Sequence, residues 1–218
     1  EAVDREIERA SALAREQREP LYLWWTSLFR GMRAQLRGDF ELGERLATET
    51  LEIGQRGQAE NAVHYFAMQL FLCRRAQGRL AEVEDAVRGF ISLYPAIPAW
   101  RCVLALVLLE TGRSAEARDA FEDCLRDGLE ALPRDANWLI AVTVLAEVCG
   151  GLGDADRARD LYAALEPYAG RNVVVGRAAT CNGSASRLLG ILAAVLGELP
   201  RAEEHFGEAL AMHERMGA

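Results

Sequence analysis

Three histidines, His64, His205 and His213, are the first residues to test for metal or acid–base chemistry, and they are scattered, with no H-E-x-x-H or related ligand spacing around them. That pattern predicts ordinary surface or core histidines. The run G-R-N-V-V-V-G at 170–176 carries two glycines but no following Lys-Ser or Lys-Thr, so it lacks the groups with which a phosphate-binding loop holds phosphate and Mg²⁺. Ser184 and Ser186 lie outside any G-x-S-x-G elbow, and no histidine is placed by local sequence to activate them. Five cysteines at 73, 102, 124, 149 and 181 include no C-x-x-C pair, which suggests neither a disulfide framework nor a zinc site. Carboxylates are abundant but fall near Arg at helical spacing, as with Glu116 and Asp119 beside Arg113 and Arg118, the pattern of a solvated helix face. These residues predict a non-catalytic chain with no cofactor and no metal.

Two short motifs have a structural reading. Arg37-Gly38-Asp39 matches an adhesion tripeptide, yet it sits where a turn between helices is expected. Asn182-Gly183-Ser184 fits a glycosylation acceptor, but in a cytoplasmic chain it more naturally starts a helix, capped by Ser184 or Asn182.

The elements that would position any site are legible from spacing. Glycines at 38, 78, 112, 153 and 197 each separate two apolar helical stretches. In three copies, from Gly112, Gly153 and Gly197, an Ala follows five positions on (Ala117, Ala158, Ala202) and an aromatic nine positions on (Phe121, Tyr162, Phe206). Eight positions before the glycine stands a Leu in four copies (Leu70, Leu104, Leu145, Leu189), followed in three by Ala105, Ala146 or Gly190. A glycine that ends one helix in the left-handed conformation, small residues that let two helices approach, and an aromatic beside them describe a helical hairpin.

The chain has 218 residues and a net charge of −8, with all 25 basic residues Arg. This acidic balance argues against a broad phosphate-binding surface, and no nucleic-acid partner is expected. The longest apolar run, Cys102 to Leu109, is far short of the roughly 20 residues of a membrane-spanning helix. No membrane partner is expected either, and the cysteine usage suits a reducing cytoplasm. One continuous helical unit over 1–218 is expected, with hairpins at about 22–56, 60–95, 98–130, 135–168 and 182–216 and an opening helix from Ala2 to Arg18. The link from Pro167 to Asn182 contains V-V-V-G, which reads either as a short helical extension or as a loop that docks on a neighbour.

These hairpins resemble the tetratricopeptide repeat family, most closely over the 34-residue step from Gly78 to Gly112. The copy at 60–95 departs from the family pattern at Val83 and Val87, and the first copy at Arg30 and Gly43. The segments A-G-R-N-V-V-V-G (169–176), C-N-G-S-A-S-R-L-L-G-I-L-A-A-V-L-G (181–197) and A-L-A-M-H-E-R-M-G-A (209–218) resemble the C-terminal helical arms of large bacterial signal-transduction ATPases, which are coupled to LuxR-type DNA-binding or class III nucleotidyl cyclase domains. The resemblance implies an all-α right-handed superhelix and a role as a protein-interaction or regulatory arm. It also implies a concave face carrying Trp25, Leu28, Met32, Tyr65, Met68, Leu72, Arg75, Cys102, Leu106, Thr143, Glu147 and Arg187. That stripe is either internal core or a groove for a peptide, a protein or another domain of the parent chain. An alternative occupant is a small effector, for which Arg75, Glu147 and Arg187 are the candidate polar contacts. A homodimer through exposed ends of the helical stack is a further expectation.

Overall fold

Five sharp turns set the architecture. The structure, a computed structural model, describes residues 2–56 and 59–217, with the side chains of 59–61 excepted. At Gly38, Gly78, Gly112, Gly153 and Gly197 the backbone takes a positive φ between 66° and 83°. In every case the next residue's N–H then reaches the carbonyl five positions back: Asp39 to Ala34, Arg79 to Arg74, Arg113 to Leu108, Asp154 to Cys149 and Glu198 to Ala193, at 2.7 to 3.2 Å. This bond satisfies a helix-end carbonyl and reverses the chain within two residues, which a side chain at that position would oppose sterically.

The chain is all-α apart from one small two-stranded sheet. Its helices are α1 (Ala2–Glu16), α2 (Pro20–Leu36), α3 (Phe40–Gly54), α4 (Ala59–Ala76), α5 (Glu84–Leu93), α6 (Ala99–Glu110), α7 (Ser114–Cys124), α8 (Trp138–Leu152), α9 (Ala155–Leu165), α10 (Ala185–Val195) and α11 (Leu199–Met216). Several begin on a side-chain cap. Asp39 accepts from Leu42 N–H at 3.0 Å, Asp154 from Arg157 N–H at 3.1 Å, and Ser184 from Ser186 N–H at 3.2 Å. The adhesion-like tripeptide is thus a turn and helix cap, and of the two residues offered as a cap at 182–184, Ser184 takes the role.

Two compact units are present. The first comprises Glu1–Arg79, Val174–Cys181 and Gly217–Ala218; the second comprises Leu80–Val173 and Asn182–Met216. In the first, α2 packs on α1, α3 and α4, and α3 packs on α4. A buried hydroxyl pair, Ser27 Oγ and Thr50 Oγ1 at 2.7 Å, joins α2 to α3, and Thr50 also donates to Leu46 O at 2.6 Å. In the second, α6 packs on α8 and α8 on α10, with α7, α9 and α11 each against the helix that precedes it. Helix α8 is enclosed from Trp138 to Cys149, and Ala117, Phe121, Ala158 and Leu161 are buried beside it in the same unit. Where the repeat pattern departs, at Val83, the chain forms a short 3₁₀ turn over Leu80–Val83 before α5 begins.

The link at 167–182 is not a helical extension. V-V-V lies in strand β1 (Asn172–Val175), paired with β2 (Thr180–Ser184), and the loop between the two strands docks against α2 and α4. The side chains of β1 alternate, Val173 and Val175 buried and Val174 exposed, the period of a strand. Three β-branched residues in a row favour that state over a helix.

Two substitutions separate turn from core. Gly112 has open space where a methyl group would stand but a φ of +83°, so Gly112→Ala should cost about 1 kcal/mol through backbone strain alone. Phe121→Ala removes a fully buried ring and should cost about 3–5 kcal/mol. Denaturant unfolding measures both, and equal costs would contradict the division between turn and core. Separately, Arg33 hydrogen-bonds Asp4 at 3.1 Å and Arg37 lies 2.6 Å from it; the Arg33 bond is the largest of the influences that lower the Asp4 carboxyl to about 2 from an ordinary 3.8, and the Arg37 charge adds to it. A depressed folded value stabilises above the unfolded value and is lost as the pH falls through the folded one. The docking of α1 should therefore weaken from about pH 4 down to about pH 2, and an acid titration of Asp4→Asn should lack that component.

Candidate functional site

The residues expected on a concave face divide by burial. Leu28, Cys102, Leu106 and Thr143 are buried, and so belong to the cores of their units. Trp25, Met32, Tyr65, Met68, Leu72, Arg75, Glu147 and Arg187 are partly exposed. In the second unit Glu147 and Arg187 form an ion pair at 2.5 Å, so the two polar candidates there neutralise each other. In the first unit Trp25 and Tyr65 come together, and the most organised surface of the described residues is built around them.

That surface is an aromatic cluster. Trp24 and Trp25, neighbours on α2, have ring centroids 4.9 Å apart; Trp24 stacks on Tyr65 of α4 at 5.5 Å, and Trp25 meets Tyr65 at 5.9 Å and Phe29 at 6.3 Å. Consecutive residues on a helix diverge by about 100°, so Trp24 turns inward, 2% exposed, while Trp25 stays at the rim. Leu28 and Ala62 complete the base, with Leu51, Ile53 and Tyr65 against it.

A segment of the same unit fills this groove. The hairpin tip between β1 and β2 brings Ala179, fully buried, into the cluster with Trp24 and Leu28. Gly176 lies so close to the Tyr65 ring that a Cβ there would collide with Cε1. Arg177 sets its guanidinium 5.6 Å from the Trp25 ring centre, within cation–π range. Burial pushes the Tyr65 phenol up, and the Arg177 charge partly offsets this.

Gln69 is the anchor. Its side chain is fully buried, and its Nε2 uses both hydrogens, donating to Leu28 O at 2.9 Å and to Ala179 O at 2.8 Å. The space for it comes from Gly31 on α2, where a Cβ would lie 2.9 Å from the amide. A buried amide is costly unless bonded, so the Gln69–Ala179 bond ties groove and tip together in both directions. Gln69 Oε1 has no acceptor role among the described groups.

The tip itself is strained. Gly176, Arg177 and Ala178 take positive φ values of 53°, 55° and 68° in succession, closed by Ala179 N–H donating to Val175 O at 2.9 Å. Two of the three carry side chains, each at a cost of about 1 kcal/mol, and such strain persists only where surrounding contacts fix it. The sequence reading missed Gln69, Gly176, Arg177 and Ala179. The one signal for them was V-V-V-G itself, whose glycine marks a close approach only once the partner ring is known.

Elsewhere the polar groups read as structural. Ser186, buried, donates to Glu208 at 3.0 Å and accepts from Gly170 N–H at 2.9 Å; His205 Nε2 and Tyr162 Oη are 2.7 Å apart; His213 Nε2 accepts from Ser184 N–H at 2.9 Å. Burial lowers the His213 pKa, which keeps that nitrogen free to accept. No group of three or more His, Cys, Asp or Glu among the described residues is placed to hold a metal ion. Nor is any described helix long and apolar enough to cross a membrane. No protein-family model matches the chain, and no curated protein matches it.

Hydrogen exchange of the tip tests the site. Gly176→Val places a branched side chain against Tyr65 at a positive φ and should expel the tip, removing protection from the amides of 177–181. Ala178→Gly relieves strain and should raise that protection by about 1 kcal/mol. Unchanged exchange in both variants would mean that the tip is not held by the groove.

Proposed function

We propose that this chain is a non-catalytic interaction arm of the tetratricopeptide type, acting as the sensor or coupling element of a larger bacterial transcriptional regulator or signalling ATPase. Its receptor surface is the aromatic groove of the first unit. The observation that carries this reading is that the groove already holds a short hairpin tip, within residues 174–181, in the manner of a peptide ligand.

An intramolecular occupant competes at the high effective concentration of a tethered ligand. A partner must therefore present a tight turn that satisfies Gln69 and offers small residues to Trp24 and Tyr65, and it must do so better than the strained native tip. Release of the tip then distinguishes a bound from an unbound state, and only such differential binding can bias an attached domain. The strain at Arg177 and Ala178 lowers the threshold for exchange. A small effector as the occupant draws less support, because Glu147 and Arg187 are committed to each other.

The test uses a labelled peptide with the sequence of residues 173–180 added to two proteins. Gly176→Val, with its tip expelled, should bind the peptide in trans, and the unaltered chain should bind it at least about tenfold more weakly. Failure of the expelled-tip variant to bind, while its helices remain folded by circular dichroism, would sink the receptor reading.

A further inference from the structure

The turn between α1 and α2, in the first unit, lacks the glycine on which the other sharp turns are built. Its left-handed residue is Arg18, at φ 54°, and Glu19 N–H reaches Ala14 O, five positions back, at 2.9 Å. This is the bond made after each turn glycine, here on a residue whose Cβ opposes the conformation. Apolar contact does little to hold the helix that this turn positions. Of the 15 residues of α1, Ile7, Ser11 and Ala14 are buried, and Ile7 is the one large apolar side chain among them.

Charge holds α1 instead. Arg30, Arg33 and Arg37 stand at i, i+3 and i+7 of α2, along one stripe of the helix, and carboxylates at i and i+4 of α1 meet them. Arg33 Nε donates to Asp4 Oδ1 at 3.1 Å, Arg37 lies 2.6 Å from Asp4 Oδ2, and Arg30 lies 3.2 Å from Glu8 Oε1. Arg33 and Asp4 are largely shielded from solvent, whereas Glu8 is exposed. The seat is not filled: a cleft of about 240 Å³ remains, with Asp4, Ile7 and Arg33 on its walls beside Leu42 and Leu46 of α3.

We propose that α1 is a displaceable strap over the Arg30–Arg33–Arg37 ladder, and that this ladder is a docking site for an acidic amphipathic helix of a partner protein. The chemistry of the occupant is read from α1: two carboxylates four residues apart for the arginines, and an apolar side chain between them for the cleft beside Leu42 and Leu46. A partner with a larger apolar residue where α1 has Ile7 covers surface that the strap leaves open, and it carries no left-handed Arg18. Both differences favour the partner; the high effective concentration of a tethered helix favours the strap. Trp24, Trp25, Tyr65 and Gln69 take no part in the ladder, so this site and the aromatic groove stand or fall separately.

The experiment uses the whole chain and a labelled peptide of residues 2–16, stapled between positions 9 and 13, both exposed in α1. Asp4→Arg with Glu8→Arg sets cations against the ladder without altering it, and should release α1, read as lost hydrogen-exchange protection at the amides of 6–16. The released chain should bind the peptide at least about tenfold more tightly than the unaltered chain does. Asp4→Asn with Glu8→Gln in the peptide should weaken that binding about tenfold, and added salt should weaken it too. In the otherwise unaltered chain Arg18→Gly relieves the turn and should raise the protection of α1 about fivefold. Retained protection of α1 in the charge-reversed chain would show that the ladder does not hold the strap, and a neutral peptide that binds as well as the acidic one would show that the ladder does not choose the partner; either result overturns the proposal. So does failure of the released chain to bind while its helices persist by circular dichroism, or its pairing with itself in sedimentation, which would make the occupant a second copy of this chain.

Discussion

The glycine-turned helix hairpins of this chain depend on one backbone constraint: a residue at positive φ lets the amide that follows it bond to a carbonyl five positions earlier. The bond closes the helix end, and the same residue aims the next helix back along the first. From this follow the antiparallel pairs, and from the pairs follows the need for small residues where helices touch and large ones where they diverge. Ala105, Ala117, Ala146 and Ala158 are fully buried, and Phe121 and Leu161 fill the volume around them. Each of these turns contributes little by itself, about 1 kcal/mol against the several of a buried ring. Their importance is in direction, since a hairpin that opens at a different angle buries a different face.

The groove of the first unit obeys a different logic, in which a single buried amide organises the surface. Gln69 sits among apolar side chains, where an unmatched amide would be expensive, and its two donors are met by carbonyls of two separate segments. One of these, Ala179 O, belongs to a tip whose backbone is held in a conformation that Arg177 and Ala178 disfavour. Favourable contacts with Trp24, Trp25 and Tyr65 therefore work against local strain.

The turns and the hairpin cores were legible in the sequence because each requires a particular residue type: glycine for the left-handed turn, alanine for close approach, an aromatic for the gap. The all-α class followed from them, as did the reading of Asp39 as part of a turn. The strand pair was not legible. V-V-V is too short to show whether its period is that of a strand or a helix, and the left-handed residues after Gly176 are Arg and Ala, which give no turn signal. The site was legible only in part. Trp25 and Tyr65 were placed on one face by what the resemblance to tetratricopeptide repeats implies, but Gln69 is a polar residue in an apolar helix, and only the three-dimensional approach of Ala179 explains why it is there. Leu28, Cys102, Leu106 and Thr143 share the spacing of the exposed positions, and burial separates them, which periodicity along one helix does not report.

Occupation of the aromatic groove between α2 and α4 by residues 176–179 is what the receptor role rests on. Proton NMR distances in the unaltered chain address it most directly. Cross-relaxation between the Gly176 α-protons and the Tyr65 ring, and between the Ala179 methyl group and Trp24, is the expected result. If Gly176 and Ala179 show contacts only within their own hairpin, while Trp24 and Tyr65 still contact each other, the groove is empty and the role of the tip as its ligand is contradicted.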